Sequence, residues 1–156
     1  MKVFTDGSCS GKSGGWGWVE LSDDNLEFCD CERQSPTTNN KMEIQAVISF
    51  LEDAPFGKYY HLFSDSMYVL KTIVDGGKGK VESCQDINGW IKSWEISNFE
   101  GKKNVELWKT LQRKLLVHLK KGSTFYFQHV KAHQGNYGNE KADKLAKGEV
   151  SFSLEI

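Results

Sequence analysis

The sequence predicts an α/β domain, a mixed sheet of five strands flanked by helices. Three observations carry this. Three strand-like segments joined by short turns come before Pro36, helical and strand patterns alternate after it, and 156 residues with 38% hydrophobic content suffice for one core but not for two ordinary ones. We expect a single domain over residues 1–150 and a short tail over 151–156.

The first strand, Lys2 to Ser8, opens on the β-formers Val3, Phe4 and Thr5, and its pleat puts Phe4, Asp6 and Ser8 on one face. Asp6 is the anomaly, because a carboxylate half inside a core costs several kcal/mol unless it is paired, protonated or bound to a metal. Gly11 to Gly15 form a turn, Trp16 to Leu21 a second strand, Asp23-Asp24-Asn25 another turn, and Leu26 to Cys31 alternate as a third strand. Short links make these three an antiparallel meander. The glycines do not spell a phosphate loop: GxxxxGK[ST] is absent, and Lys12 lies within a hairpin.

Pro36 to Asn40 end the meander and offer helix caps. From Glu43 on, Ala46, Val47, Phe50, Leu51 and Ala54 follow at helical spacing, so Glu43 begins the buried stripe, in a first turn where the helix dipole favours its charge. Pro55-Phe56-Gly57 end that helix. Tyr59 to Ser64 are too continuously apolar for an edge strand, and Asp65 sits at the carboxyl end of this central strand, where open α/β sheets bind ligands. A short helix follows through Met67, Val69 and Leu70. Asp75 to Asp86 read as a Gly- and Lys-containing loop, in which Gly76, Gly77 and Gly79 let Lys78 and Lys80 reach out. Ile87, Trp90, Ile91 and Trp94 make a helix, Asn98 to Lys103 break it, and Leu107, Leu111, Leu115, Val117 and Leu119 carry the next one. Thr124 to Val130 are the fifth strand, Lys131 to Tyr137 a polar loop, and Gly138 to Lys147 a closing helix with Asn139, Ala142, Asp143 and Ala146 on one face.

Charge is distributed unevenly. Met1 to Trp108 hold 17 Asp/Glu against 11 Lys/Arg, whereas Lys109 to Lys147 hold 9 Lys/Arg against 2 Asp/Glu. Such a chain can meet a polyanion on one side and cations on the other. Four scattered cysteines with no CxxC pair read as reduced thiols, and the chain has neither an apolar signal core nor a membrane-spanning run. A cytoplasmic protein without membrane association is expected.

Convergence of Asp6, Glu43, Asp65 and Asp143 would be repulsive without bound divalent cations. Oxygen donors without cysteine favour Mg²⁺ or Mn²⁺ over zinc. Two such ions about 4 Å apart suit in-line phosphodiester cleavage, one activating water and the other steadying the leaving oxygen.

The chain resembles a type 1 ribonuclease H over nearly its whole length. The matching motifs are Thr5-Asp6-Gly7-Ser8-Cys9, Thr38-Asn39-Asn40-Lys41-Met42-Glu43, Ser64-Asp65-Ser66 with Tyr68-Val69, and Val130-Lys131-Ala132-His133 leading to Gly138-Asn139-Glu140-Lys141-Ala142-Asp143. The resemblance implies the ribonuclease H-like fold, with strands four and five parallel to strand one. It also implies hydrolysis of the RNA strand of RNA/DNA hybrids to 5′-phosphate and 3′-hydroxyl ends, two Mg²⁺ per site with Mn²⁺ able to substitute, and a monomer. By the same resemblance Asp6, Glu43, Asp65 and Asp143 are metal-binding catalytic carboxylates, with Glu43 also near the ribose 2′-hydroxyl, and His133 assists proton transfer and product departure.

Cys9, Lys12, Thr38, Asn39, Asn40, Met67, Trp90, Ser93 and Trp94 fall at its substrate-binding positions. Asn39 and Asn40 would read the minor groove, where RNA displays its 2′-hydroxyls. Trp90 and Trp94 would lie under the DNA strand, unless they are buried anchors of their helix. Lys12, Met67 and Ser93 depart from the family pattern, and Trp90 to Trp108 set Lys92, Lys102 and Lys103 against Glu95, Glu100 and Glu106, a neutral version of the family's basic protrusion. His129 and His133 span a strand and a loop rather than one helical face, which does not suit zinc. Two other readings stay open: a hybrid-binding module without catalysis, and a DNA-cutting nuclease or integrase relative on the same fold.

Overall fold

The computed structural model describes residues 1–75, 80–132 and 135–149. Its strands are β1 (Lys2–Ser10), β2 (Ser13–Leu21), β3 (Glu27–Gln34), β4 (Tyr59–Ser64), β5 (Val81–Cys84) and β6 (Thr124–His129). Its helices are α1 (Asn39–Asp53), α2 (Met67–Ile73), α3 (Trp90–Ile96), α4 (Val105–Lys120) and α5 (Tyr137–Ala146). The sheet runs β3-β2-β1-β4-β6-β5. The expected meander is there, β4 pairs parallel with β1, and β6 pairs parallel with β4.

The sheet has six strands where five were expected. The loop read over Asp75 to Asp86 contains β5, which pairs antiparallel with β6 from Val81 opposite Gln128 to Cys84 opposite Phe125. Its sequence, Val-Glu-Ser-Cys, does not alternate apolar with polar although its burial does, so its order comes from the partner strand rather than from a pattern of its own. Residues 76–79, including Lys78, and residues 150–156 lie outside the described residues.

Both faces of the sheet are covered. The pleat of β1 sends Val3 toward a core shared with Met42, Phe50, Tyr60, Trp108 and Leu111, and sends Phe4 the other way, against Val19, Ala142 and Leu145 under α5. Close approach of helix to sheet depends on missing side chains. A Cβ on Gly7 would lie 2.2 Å from the Glu43 backbone nitrogen, and one on Gly17 would lie 2.7 Å from the Leu145 Cβ. These two glycines set the heights at which α1 and α5 cross the strands that carry the site.

The stripe on α4 differs from expectation at one position. Val117 is 43% exposed, while His118 at 1% completes the Leu111, Leu115 face at the correct three-residue step. The buried ring is fully bonded. Its Nε2 reaches the Leu51 carbonyl at 2.8 Å and its Nδ1 the Ser123 hydroxyl at 2.9 Å, and that hydroxyl accepts the Gly57 N–H at 3.0 Å. A carbonyl can only accept, so a proton is assigned to Nε2, and because burial disfavours the charged ring the Ser123 hydroxyl is assigned as donor to a bare Nδ1. It satisfies one of the carbonyls left open at the end of α1.

Burial lowers the His118 pKa from 6.5, opposed in part by the bond to Leu51. The unfolded chain therefore binds a proton that the native state resists, and stability falls as pH drops below the unfolded value. His118→Phe is expected to cost about 1–3 kcal/mol at pH 8, from the unbonded Ser123 and Leu51 groups, and less at pH 5, where the wild type has itself lost stability. Urea unfolding at the two pH values measures both terms, and an equal cost at both would exclude the neutral buried ring.

Candidate active site

Asp6 lies midway along β1, where its pair across the meander is Gly17, and Asp65 follows the last residue of β4, one strand over. Ser64 and Ser66 fix the backbone around Asp65. The Ser64 hydroxyl accepts the Ser66 N–H at 3.0 Å, and the Ser66 hydroxyl caps α2 through the Val69 N–H at 3.2 Å. Glu43 reaches down from α1 and accepts a hydrogen bond from the Gly7 N–H, whereas Asp6 accepts the same N–H at 2.9 Å. Carboxylate oxygens of Asp6, Glu43 and Asp65 all lie within 4.8 Å of one another.

One expectation about Glu43 needs correction. Thr38 caps α1 and the helix begins at Asn39, so the first turn holds no acidic residue and Glu43 stands in the second. There the helix N-terminus gives it little. What meets its charge is the Gly7 N–H, which a side chain at Gly7 would block.

Burial pushes the Asp6 carboxyl up to about 8, with the charges of Asp65 and Asp143 adding to it and the bond to Glu43 opposing it. Burial raises Glu43 well above its usual range, assisted by Asp6 and Asp65, and raises Asp65 as well. Three such acids cannot all ionise at neutral pH by themselves. Hard divalent cations fit them, because every donor is oxygen, the oxygens are clustered, and the carboxylates favour their charged forms only with a positive partner.

Asp143 sits on α5 and lines the same hollow as the other three, but its Oδ2 is paired with Lys147 Nζ at 3.0 Å and it stands outside the tight cluster. Lys147 was not singled out in the sequence. Its spacing of four from Asp143 on one helix was the available signal. Arg33 of β3 fastens this end of α5, donating from Nη1 to the Ala146 carbonyl at 2.6 Å. His133 lies outside the described residues.

The remaining sequence candidates divide into two groups. Cys9, Asn39 and Asn40 line the carboxylate hollow, and the two asparagines also line an adjoining hollow of about 940 Å³ with Thr38, Lys41, Lys103 and Asn104. Lys103 and Asn104 were hidden within a stretch of balanced charge. Thr38 Oγ1 is committed to its cap, accepting the Lys41 N–H at 3.3 Å, and Lys12 is exposed on the turn beside it, its carbonyl accepting the Thr37 N–H. Met67, Trp90, Ser93 and Trp94 are not among the residues lining the carboxylate hollow. Met67 packs on the core, Ser93 Oγ bonds back to the Trp90 carbonyl at 2.9 Å, and Trp94 is held edge-on by Trp108. Trp90 is 46% exposed, so of the two tryptophans only Trp94 is a helix anchor.

A family model described as RNase H matches residues 1–151. The chain is similar to proteins named Ribonuclease H: 38% identical over 155 residues to that of Ehrlichia ruminantium (strain Gardel), covering 95% of this chain and 92% of that protein. With that of Wolbachia pipientis wMel it is 36% identical, covering 93% and 91%, and with that of Anaplasma marginale (strain St. Maries) 37%, covering 100% and 94%.

Proposed function

The chain belongs to the ribonuclease H family, and from that premise we propose that it is an endonuclease hydrolysing the RNA strand of RNA/DNA hybrids, leaving 5′-phosphate and 3′-hydroxyl ends. The observation that carries this is the cluster of Asp6, Glu43 and Asp65, whose carboxylate oxygens lie within 4.8 Å of one another and whose carboxyls burial raises. Asp6, Glu43 and Asp65 hold two Mg²⁺, with Mn²⁺ able to substitute, and Asp143 joins them on release from Lys147. Bound there, the ions supply an activated water and charge compensation for the leaving oxygen. Asp6 and Asp65 would hold the metal, Glu43 would also face the ribose 2′-hydroxyl, and His133 would accept and return a proton as the product leaves. Asn39 and Asn40, which line both hollows, read the minor groove between the carboxylates and the groove beyond. In this reading the protein is a cytoplasmic monomer whose four cysteines are free thiols.

The test compares cleavage of an RNA/DNA hybrid, duplex RNA and duplex DNA of one sequence in MgCl₂. Cleavage confined to the RNA strand of the hybrid is expected. Binding without cleavage would replace the proposal with a hybrid-binding module, and cutting of duplex DNA with a DNA nuclease.

Lys41 and Lys103 in the larger hollow give a second expectation. Each phosphate they neutralise contributes roughly 0.7–0.9 to the slope of log affinity against log salt, so Lys41→Ala/Lys103→Ala is expected to flatten that slope by about 1.5. Hybrid binding in CaCl₂ across a salt series measures it. Parallel lines for variant and wild type would remove this hollow from the substrate path.

A further inference from the structure

Beside the stretch of β2 that pairs with the first residues of β1, β2, β3 and the last turn of α1 enclose a third hollow, of about 370 Å³, whose lining includes Trp18, Glu20, Phe28, Asp30, Phe50 and Asp53. Glu20 pairs with Val3 across β1 whereas Gly17 pairs with Asp6, which separates the two places by three residue steps, roughly 10 Å along the strand. Trp18, Glu20, Phe28 and Asp30 share one face because Glu20 lies opposite Phe28 and Trp18 opposite Asp30. Of the nine residues lining it, three are aromatic and three acidic, and none is basic.

Glu20 is the informative residue. It is 7% exposed, and its Oε1 is buried with no hydrogen-bond partner among the described residues. Asp30 is half-buried and spends Oδ1 on the Cys31 N–H at 2.8 Å, while Asp53 is exposed at the rim. Burial raises the Glu20 carboxyl, and burial together with the charges of Asp30 and Glu52 raises that of Asp53. The Met1 ammonium offsets part of this at Glu20, but its hydrogen bond goes to the Tyr59 carbonyl at 3.2 Å. A buried acceptor left unmade is costly, and a positive donor entering the hollow would satisfy it. Aromatic walls select among cations. They favour an organic ammonium on a hydrocarbon stem, which gains π contact and apolar burial, over a strongly hydrated metal ion that demands a shell of oxygens.

We propose that this hollow binds the ammonium end of an aliphatic amine, with Glu20 accepting its N–H groups, Asp30 and Asp53 facing the same charge, and Trp18 and Phe28 flanking the stem. The chemistry is common to a free polyamine and to a lysine side chain of a partner protein. It does not depend on the nuclease reading, since none of the three carboxylates belongs to the Asp6 cluster.

Calorimetric titration in excess MgCl₂, which keeps the Asp6 cluster filled, tests this with 1,4-diaminobutane, with Nα-acetyl-lysine methylamide, and with 1,4-butanediol as the uncharged counterpart. Saturable binding of at least one amine and none of the diol is expected, weakened at least about tenfold by Glu20→Gln. Binding of the diamine assigns the site to free amines, and binding of the lysine amide alone assigns it to a protein side chain. The absence of saturable amine binding to the wild type, or equal affinity in Glu20→Gln, overturns the proposal. Should Glu20→Gln not fold, Asp53→Asn at the exposed rim decides, with unchanged affinity counting against the site.

Discussion

Asp65→Asn is expected to abolish Mg²⁺-dependent cleavage of an RNA/DNA hybrid, a loss of roughly 10⁴-fold or more, while circular dichroism stays native and the melting temperature of the metal-free protein does not fall. Asp65 is half-buried at the end of β4, and the Ser64 and Ser66 hydroxyls hold the backbone on either side of it, so an amide fits the same place. What the amide removes is a negative oxygen within 4.8 Å of Asp6 and Glu43. Charge stabilisation by bound metal is worth several kcal/mol of barrier, and each 1.4 kcal/mol is about tenfold in rate. His133→Ala provides the contrast: a group that only shuttles a proton contributes about 10² to 10⁴-fold, so slow cleavage should persist. Single-turnover rates with both variants separate the roles. Asp65→Asn within tenfold of wild type would sink the metal assignment, and a His133→Ala enzyme as inactive as Asp65→Asn would make the histidine more than accessory.

The elements that carry the site were readable because each has its own periodicity. Phe4 and Asp6 at spacing two, and Glu43 at the head of a helical stripe, point to buried carboxylates without any coordinates. What escaped depends on pairing between distant segments. β5 exists through β6, the charge of Glu43 is met by Gly7 thirty-six residues away, and Lys147 matters through its side-chain bond to Asp143. The convergence of four carboxylates was likewise only partly legible, since sequence gives Asp143 its helix face but not the lysine that pairs with it. Trp90 and Trp94 show the same limit: one helical stripe, one exposed ring and one anchor, decided by where Tyr68 and Trp108 stand.

In metal-free protein, Asp6→Asn is expected to be more stable than wild type at pH 8, with the advantage fading toward pH 4. The carboxyl is held up to about 8 in the folded state against 3.8 in the unfolded one, mainly by burial. A raised acid pKa means that the native state keeps a proton which the unfolded chain releases. The associated stability is present below pH 3.8 and is lost as pH rises toward 8. The amide cannot ionise and escapes that loss, so the gap between variant and wild type opens across this window, to a few kcal/mol at its upper end given about 1.4 kcal/mol per pKa unit and the sharing of protons with Glu43 and Asp65. At this chain length that corresponds to about 5–10 °C in melting temperature. Added MgCl₂ should reverse the order at pH 8, because an ion bound only by the folded wild type stabilises it by about 2.7 kcal/mol at a hundred times its Kd, whereas the variant has lost a ligand. Melting curves of both proteins in EDTA and in MgCl₂ at pH 4.5, 6 and 8 give the whole pattern. Wild type more stable than Asp6→Asn in EDTA at pH 8 would mean that the buried carboxylates are not in conflict, and the argument for a cation among them would lose its physical basis.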